Sequence, residues 1–301
     1  MEIKNIMLPT DFSEPSRTAL QYAVVLARIF RARLTLLHIL EPQPELEGVT
    51  IAHTEHDRRQ NAMHQLENLL APEDEDDLDV QTVVKSGHAR TEIAAAVEQY
   101  HADIVVLGTH GRRRLGRLIM GSTTEGLLRK LPVPIMTVCH ALSPRGLKRL
   151  VFATDFSDSW QGLFQITLKM ARVLGAEILA VHALGEPVLA SGEFGLATQP
   201  EVATAEVHRR LEVLVAEAKR QGVDVQPLIL EGPAAAAILK AAVESLADLI
   251  ILGIDQKGIL ERALLGTTAE HVARHASVPV LFIPLNVAPW DNNVNDMRQH
   301  A

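Results

Sequence analysis

Residues 103–139 read DIVVLGTHGRRRLGRLIMGSTTEGLLRKLPVPIMTVC. Residues 104–107 are an apolar, β-branched run that ends at Gly108, as a buried strand should. Gly111 follows, then a basic segment, then Gly121 and Ser122 leading into helix-forming residues. Glycine is needed where the backbone turns sharply or must approach a ligand without a Cβ in between. Ser122 and Thr123 fall where a helix start presents unpaired N–H groups, a setting suited to phosphate. The stretch therefore predicts a strand, a glycine-punctuated loop, a helix start and a closing strand. A tight strand-to-helix connection that binds nothing fits the glycines alone equally well.

The spacing narrows the choice. Gly108, two residues, Gly111, nine residues and Gly121-Ser122 resemble the G-x2-G-x9-G-[S/T] signature of the universal stress protein family. THGR after the first glycine, TTEGLLR after the serine and the closing PVPIMTV agree with it. The pattern is neither a Walker A loop nor the Rossmann glycine fingerprint.

The chain repeats once. KNIMLPTDFSEPSRTAL returns as KRLVFATDFSDSWQGLF, with Asp11 answered by Asp155 and His38 by His182, both 144 residues on. Asp103, Gly108, Gly121 and Pro134 are answered by Asp248, Gly253, Gly266 and Pro279, all 145 residues on. This is a tandem duplication with its boundary near residues 140–146. We expect domains at 1–143 and 144–285 and a polar C-terminal tail at 286–301.

Each half alternates strand and helix. In the first, strands are expected at 4–9, 34–40, 80–85, 104–107 and 135–139, with helices starting near Ser13, Glu55, Thr91 and Ser122. Ser13 is placed to cap the first helix, with Pro15 in its first turn and Ala19, Leu20, Ala23 and Leu26 on one face. Strand–helix alternation calls for right-handed crossovers and a largely parallel sheet. The resemblance implies an α/β fold of two tandem doubly wound domains, each with five strands in the order 3-2-1-4-5 and about four helices. The terminal strands of both halves, 135–139 and 280–283, are apolar and would leave an exposed sheet edge if unpaired. Universal stress proteins commonly dimerise through this strand, so the resemblance implies that the halves pack as an internal pseudo-dimer with these strands at or near the contact; a further homodimer is compatible with this.

Composition bounds the rest. The length of 301 residues suits about two domains, and 47% hydrophobic with 22% charged residues is ordinary for a globular protein. Two Trp and two Tyr leave an aliphatic core. A net charge of −8 argues against a nucleic-acid partner. One cysteine, Cys139, rules out an internal disulfide and suits a reducing compartment. The first residues lack the pattern of a signal peptide, and no apolar run is long enough for a bilayer. The expectation is a soluble, cytoplasmic protein with no membrane partner.

Ligands of open α/β sheets settle at the carboxyl ends of strands where the order reverses. The family order puts that crevice between the first and fourth strands. By resemblance, Asp11 of Pro9-Thr10-Asp11 contacts the adenosine end of ATP and Ile39 packs on the adenine. Gly108, His110, Gly111, Gly121, Ser122 and Thr123 would line the phosphates. Asp11 could instead serve only as an acid favouring the helix dipole, worth about 0.3–1 kcal/mol; the whole constellation favours the ligand role. Arg112, Arg113, Arg114 and Arg117 could reach phosphates or an acidic partner, though a solvated loop face is the simpler reading. The second half keeps Asp155, Gly253, Gly266 and Thr267, but Gln256 replaces the middle glycine and Ala183 replaces Ile39. Binding there is expected to be weaker.

Histidines at 53, 56 and 64, and the pair His271 and His275, invite a metal reading; exposed helical histidines explain them more simply, and no metal site is assigned. Residues 73–79 are acidic and read as a solvated turn. No nucleophile–base constellation stands out. The resemblance thus implies a stress-response protein holding ATP or a related adenine nucleotide as a regulatory ligand. Magnesium could accompany it, and the protein partner is not legible. The alternatives are a slow ATPase or nucleotidyl-transfer enzyme on the same fold, and a non-binding scaffold.

Overall fold

The computed structural model describes residues 3–42, 51–71, 77–109, 121–185, 200–255 and 266–285. The tail at 286–301, the arginines at 112–117, His110, Gly111 and Gln256 lie outside the described residues. The first half runs β1 (Asn5–Pro9), α1 (Glu14–Phe30), β2 (Arg33–Leu40), α2 (Ile51–Glu67), β3 (Val80–Ser86), α3 (Ala89–Gln99), β4 (Ile104–Gly108), α4 (Ser122–Leu128) and β5 (Ile135–Val138). The second runs β6 (Arg149–Ala153), α5 (Trp160–Leu174), β7 (Glu177–Leu184), α6 (Pro200–Arg220), β8 (Val225–Glu231), α7 (Ala234–Glu244), β9 (Leu249–Ile254), α8 (Thr267–His275) and β10 (Val280–Pro284).

All ten strands form one sheet in the order β3-β2-β1-β4-β5-β10-β9-β6-β7-β8. Each half contributes the expected 3-2-1-4-5 order, and the two meet at their fifth strands. β5 and β10 pair antiparallel, Thr137 opposite Val280, Met136 opposite Leu281 and Ile135 opposite Phe282. Within each half every pairing is parallel. The apolar edge that each half would expose alone is thus consumed in the seam, and the repeat forms an internal pseudo-dimer. The order reads the same from either end, as a pseudo-twofold axis through an antiparallel seam requires.

Central strands are apolar on both faces because both are covered. All five residues of β1 are buried, as are all of β5 and β10. Two hydrophobic clusters result, one on each side of the sheet. The first includes Leu26, Leu66, Phe152 and Phe164; the second includes Ile93, Leu127, Val272 and Phe282. Both draw residues from both halves, so the cores do not stop at the seam. On α1 the predicted face, Ala19, Leu20, Ala23 and Leu26, is buried.

Two carboxylates fasten equivalent points of the halves. Asp103 accepts from the N–H of Lys4 at 2.7 Å and of Asn5 at 2.9 Å. Asp248 accepts from the N–H of Lys148 at 2.9 Å and of Arg149 at 2.8 Å, and pairs with Arg145. Each ties the entry to its half's first strand to the start of the fourth. The seam between the halves adds Thr137, whose hydroxyl faces the Val280 carbonyl at 3.4 Å.

One expectation of local structure needs correction. Ser13 occupies the N-cap position of α1, but its hydroxyl makes no cap hydrogen bond. It donates instead to Asp11 Oδ1 at 2.5 Å. Donation to this charged acceptor fixes the hydroxyl's rotamer, and in that rotamer its oxygen accepts from no helix N–H group.

Candidate functional site

β1 lies between β2 and β4, with Ile6 opposite Ile104 and Met7 opposite Val105. Here the strand order reverses, because the chain leaves β1 for β2 on one side and returns as β4 on the other. The carboxyl ends of β1 and β4 therefore carry Pro9 and Gly108 side by side at the switch point. Pro9 and Thr10 are buried, whereas Asp11 is exposed just beyond them. Ile39 lies half-buried near the end of β2.

The Thr10-Asp11-Phe12-Ser13 turn is cross-braced. The Thr10 N–H donates to the Leu37 carbonyl at 2.8 Å, and Thr10 Oγ1 accepts from the Phe12 N–H at 3.0 Å. Asp11 Oδ1 accepts from the Ser13 N–H at 3.1 Å. Phe12 adopts φ 60°, a left-handed conformation uncommon for a bulky residue. His38 Nδ1 lies 2.8 Å from the Thr10 carbonyl, so this nitrogen carries the hydrogen. The His38 ring packs against Phe12, tilted by 32° with centroids 4.5 Å apart.

The second half repeats the arrangement. Thr154 Oγ1 accepts from the Phe156 N–H at 3.0 Å, Asp155 Oδ1 from the Ser157 N–H at 2.9 Å, and Phe156 has φ 55°. His182 Nδ1 sits 2.9 Å from the Thr154 carbonyl, and its ring is 5.1 Å from Phe156. Phe12 and His38, with Phe156 and His182, brace the candidate site, a role that reading the sequence did not assign to them. The signal was there: His38 and His182 share the 144-residue offset of Asp11 and Asp155.

Partial desolvation of the exposed Asp11 works against its charge, but the hydrogen bonds from Ser13 and Ser16 prevail and hold its carboxyl below the ordinary range. A depressed folded pKa stabilises the fold above the unfolded value, and that contribution disappears as pH falls through the folded one. Asp11 is solvent-screened, so the effect amounts to no more than about 0.5 kcal/mol. Asp11→Asn should therefore lower stability slightly at pH 7. The difference from wild type should vanish in urea unfolding below the usual carboxylate range; a difference that grows in acid would contradict this.

The glycines differ in what the fold asks of them. A Cβ on Gly108 would lie 2.3 Å from the Pro15 carbonyl oxygen and 2.8 Å from the Ser16 nitrogen, so the first turn of α1 rests against the end of β4. At Gly253 a Cβ would meet only the Leu285 side chain, at 2.7 Å. Gly121 and Gly266 are the N-caps of α4 and α8, with φ −62° and −55°, values open to any residue. In front of Gly266 there is nothing within 4 Å of a would-be Cβ. Ser122 is exposed and Thr123 half-buried at the start of α4; Gly266 and Thr267 are exposed at the start of α8, and Asp155 is exposed beside α5.

Elsewhere, His271 and His275 are exposed on α8. His271 and His275 stack with centroids 4.1 Å apart, and His275 Nδ1 bonds the His271 carbonyl at 2.8 Å. Among the described residues no three His, Cys, Asp or Glu side chains come together as metal ligands. Burial pushes the Cys139 thiol up to about 11, so it stays protonated at neutral pH. No described helix is long and apolar enough to cross a membrane.

Two doubly wound domains, fused at their fifth strands and each carrying a braced Thr-Asp-Phe-Ser turn at the switch point, define a tandem α/β protein. The chain belongs to the universal stress protein family, whose sequence pattern matches residues 2–138 and again 146–284. Universal stress protein Slr1230 of Synechocystis is 22% identical over 93% of this chain and 99% of its own length. Universal stress protein MJ0577 of Methanocaldococcus jannaschii is 25% identical over 45% of this chain and 94% of its own length. The crystal structure of a universal stress protein from Archaeoglobus fulgidus superposes with a TM-score of 0.72 and 22% identity, over 95% of this chain and all of that one. At that identity the likeness shows the fold alone.

Proposed function

We propose that this chain binds ATP or a related adenine nucleotide as a regulatory ligand in the stress response, chiefly in its first half. On this reading the domains are 1–143 and 144–285, followed by the tail at 286–301. Pro9, Thr10, Asp11 and Ile39 take the adenosine end. Gly108, His110, Gly111, Gly121, Ser122 and Thr123 take the phosphates, and magnesium would neutralise part of their charge. The observation that carries the reading is the glycine N-cap. Neither Gly121 nor Gly266 needs glycine for its backbone angles, and Gly266 faces open space. At Gly266 packing supplies no reason for glycine beyond its N-cap preference, and close approach of a ligand to the backbone would be one; Gly121 holds the matching position in the first half.

The second half has Asp155, Gly253, Gly266 and Thr267 as its corresponding residues. Gln256 and Ala183 favour weaker binding there, since Gln256 replaces a glycine and Ala183 thins the wall given by Ile39. Calorimetric titration of the full chain with ATP and magnesium is expected to show about one tight site per chain. The other site should be at least tenfold weaker. Two equal sites would show that Gln256 is tolerated, and no heat at millimolar ATP would overturn the proposal. Bound ATP at about 100 times its dissociation constant should also stabilise the fold by about 2.7 kcal/mol. The role is binding rather than turnover, so ADP should accumulate slowly if at all.

A further inference from the structure

Glu125 on α4 and Arg129 at its C-cap are answered by Glu270 and Arg274 on α8 at the same 145-residue offset. Within each half they pair four residues apart, both at 2.8 Å. Across the seam between the halves, Arg274 reaches Glu125 at 3.6 Å and Arg129 reaches Glu270 at 4.0 Å. Each carboxylate thus lies between an arginine of its own half and one of the other. The four side chains are 23–36% exposed, so water screens them only in part.

Glu125 stands in the first turn of α4, three residues after Ser122. An acid there suits the helix dipole but repels a second anion at the same end. What a nucleotide's phosphates meet beside Gly121 and Ser122 therefore depends on how far Glu125 is neutralised. Arg129 does this from the C-cap of the same helix, and Arg274 does it from the second half. α4 is a helix of seven residues, so contacts made along its side matter to where it sits.

We propose that Arg274 is a positioning residue for the nucleotide site of the first half. By pairing with Glu125 across the seam it lowers the negative potential at the phosphate end and holds α4 in place. The first half's preference for a triphosphate then depends on a side chain of the second half, and the duplication is a working unit rather than two independent binders. This rests on the nucleotide reading given above. A unit charge neutralised at this range and screening changes the affinity for a polyanion by about three- to tenfold.

Calorimetry on the full chain, with ATP and with adenosine, separates the outcomes. Arg274→Gln should weaken ATP about three- to tenfold and leave adenosine unchanged, with the loss shrinking at high salt. Arg274→Lys should retain most of the ATP affinity. Adding Glu125→Gln to Arg274→Gln should restore ATP binding, because the repelling charge is then gone. Equal weakening of both ligands, no change for either, failure of the lysine variant, or a double variant no better than the single would each overturn the proposal. If the wild-type chain binds neither ligand, the nucleotide reading itself fails, before any variant is compared.

Discussion

Gly108→Ala is expected to destabilise the first half by about 3 kcal/mol, the upper end for overpacking, because a clash against backbone cannot relax by a rotamer change. The new Cβ would sit 2.3 Å from the Pro15 carbonyl oxygen and 2.4 Å from its carbon, both in the first turn of α1. To make room, α1 would have to lift from the sheet, breaking the packing of Ala19, Ala23 and Leu26. Gly253→Ala is the matched control. There the neighbour is the far end of the Leu285 side chain, which can turn aside, so a cost of about 1 kcal/mol or less is expected. The difference has a local cause. α1 begins at Glu14, three residues after Asp11, whereas α5 begins at Trp160, five after Asp155. The later start leaves Leu285 as the neighbour of Gly253. Urea unfolding of the two variants should separate them clearly, and equal costs would show that α1 does not press on β4. The same contact cautions against reading lost nucleotide binding in a Gly108 variant as lost phosphate contact.

Gly121→Val should do the opposite, removing ATP binding by more than about a hundredfold while leaving the fold nearly as stable as wild type. With φ −62° and ψ 145°, the position lies in the extended region that valine favours. Its side chain would project where, on the proposed reading, phosphate meets backbone, and the β-branch could not swing away. Titration with ATP, alongside circular dichroism and urea unfolding, checks both halves of the statement. A variant that binds ATP like wild type would show that the phosphates are held elsewhere. A variant that unfolds would show that Gly121 is structural, as Gly108 is.

Reading the residues in order found the strands and helices within a few positions, because each is a local pattern. The turn at Asp11 was legible only in part. Asp11 and Thr10 were visible as a strand-end motif, but the brace from His38 joins residues 28 apart. That link needs β1 and β2 paired in register, with Pro9 opposite Leu37, before His38 meets the Thr10 carbonyl. The cap expected from Ser13 went astray for a related reason, since propensity names the position but not the competing acceptor at Asp11.

By itself the sequence determined that this protein is one α/β domain written twice. The offset of 144–145 residues, the alternating apolar periods and the glycine spacing are all properties of the linear order. The terminal strands were expected at the contact, and the tertiary structure decided how they meet there: antiparallel and in one continuous sheet, with Ile135, Met136 and Thr137 facing Phe282, Leu281 and Val280. It also decided that Gly108 is held by a helix, and that Glu125 shares its neutralisation with Arg274 of the other half. Hydrophobic pattern says that an edge must be covered, but not by what; that choice follows from register, twist and distance between residues far apart in the chain.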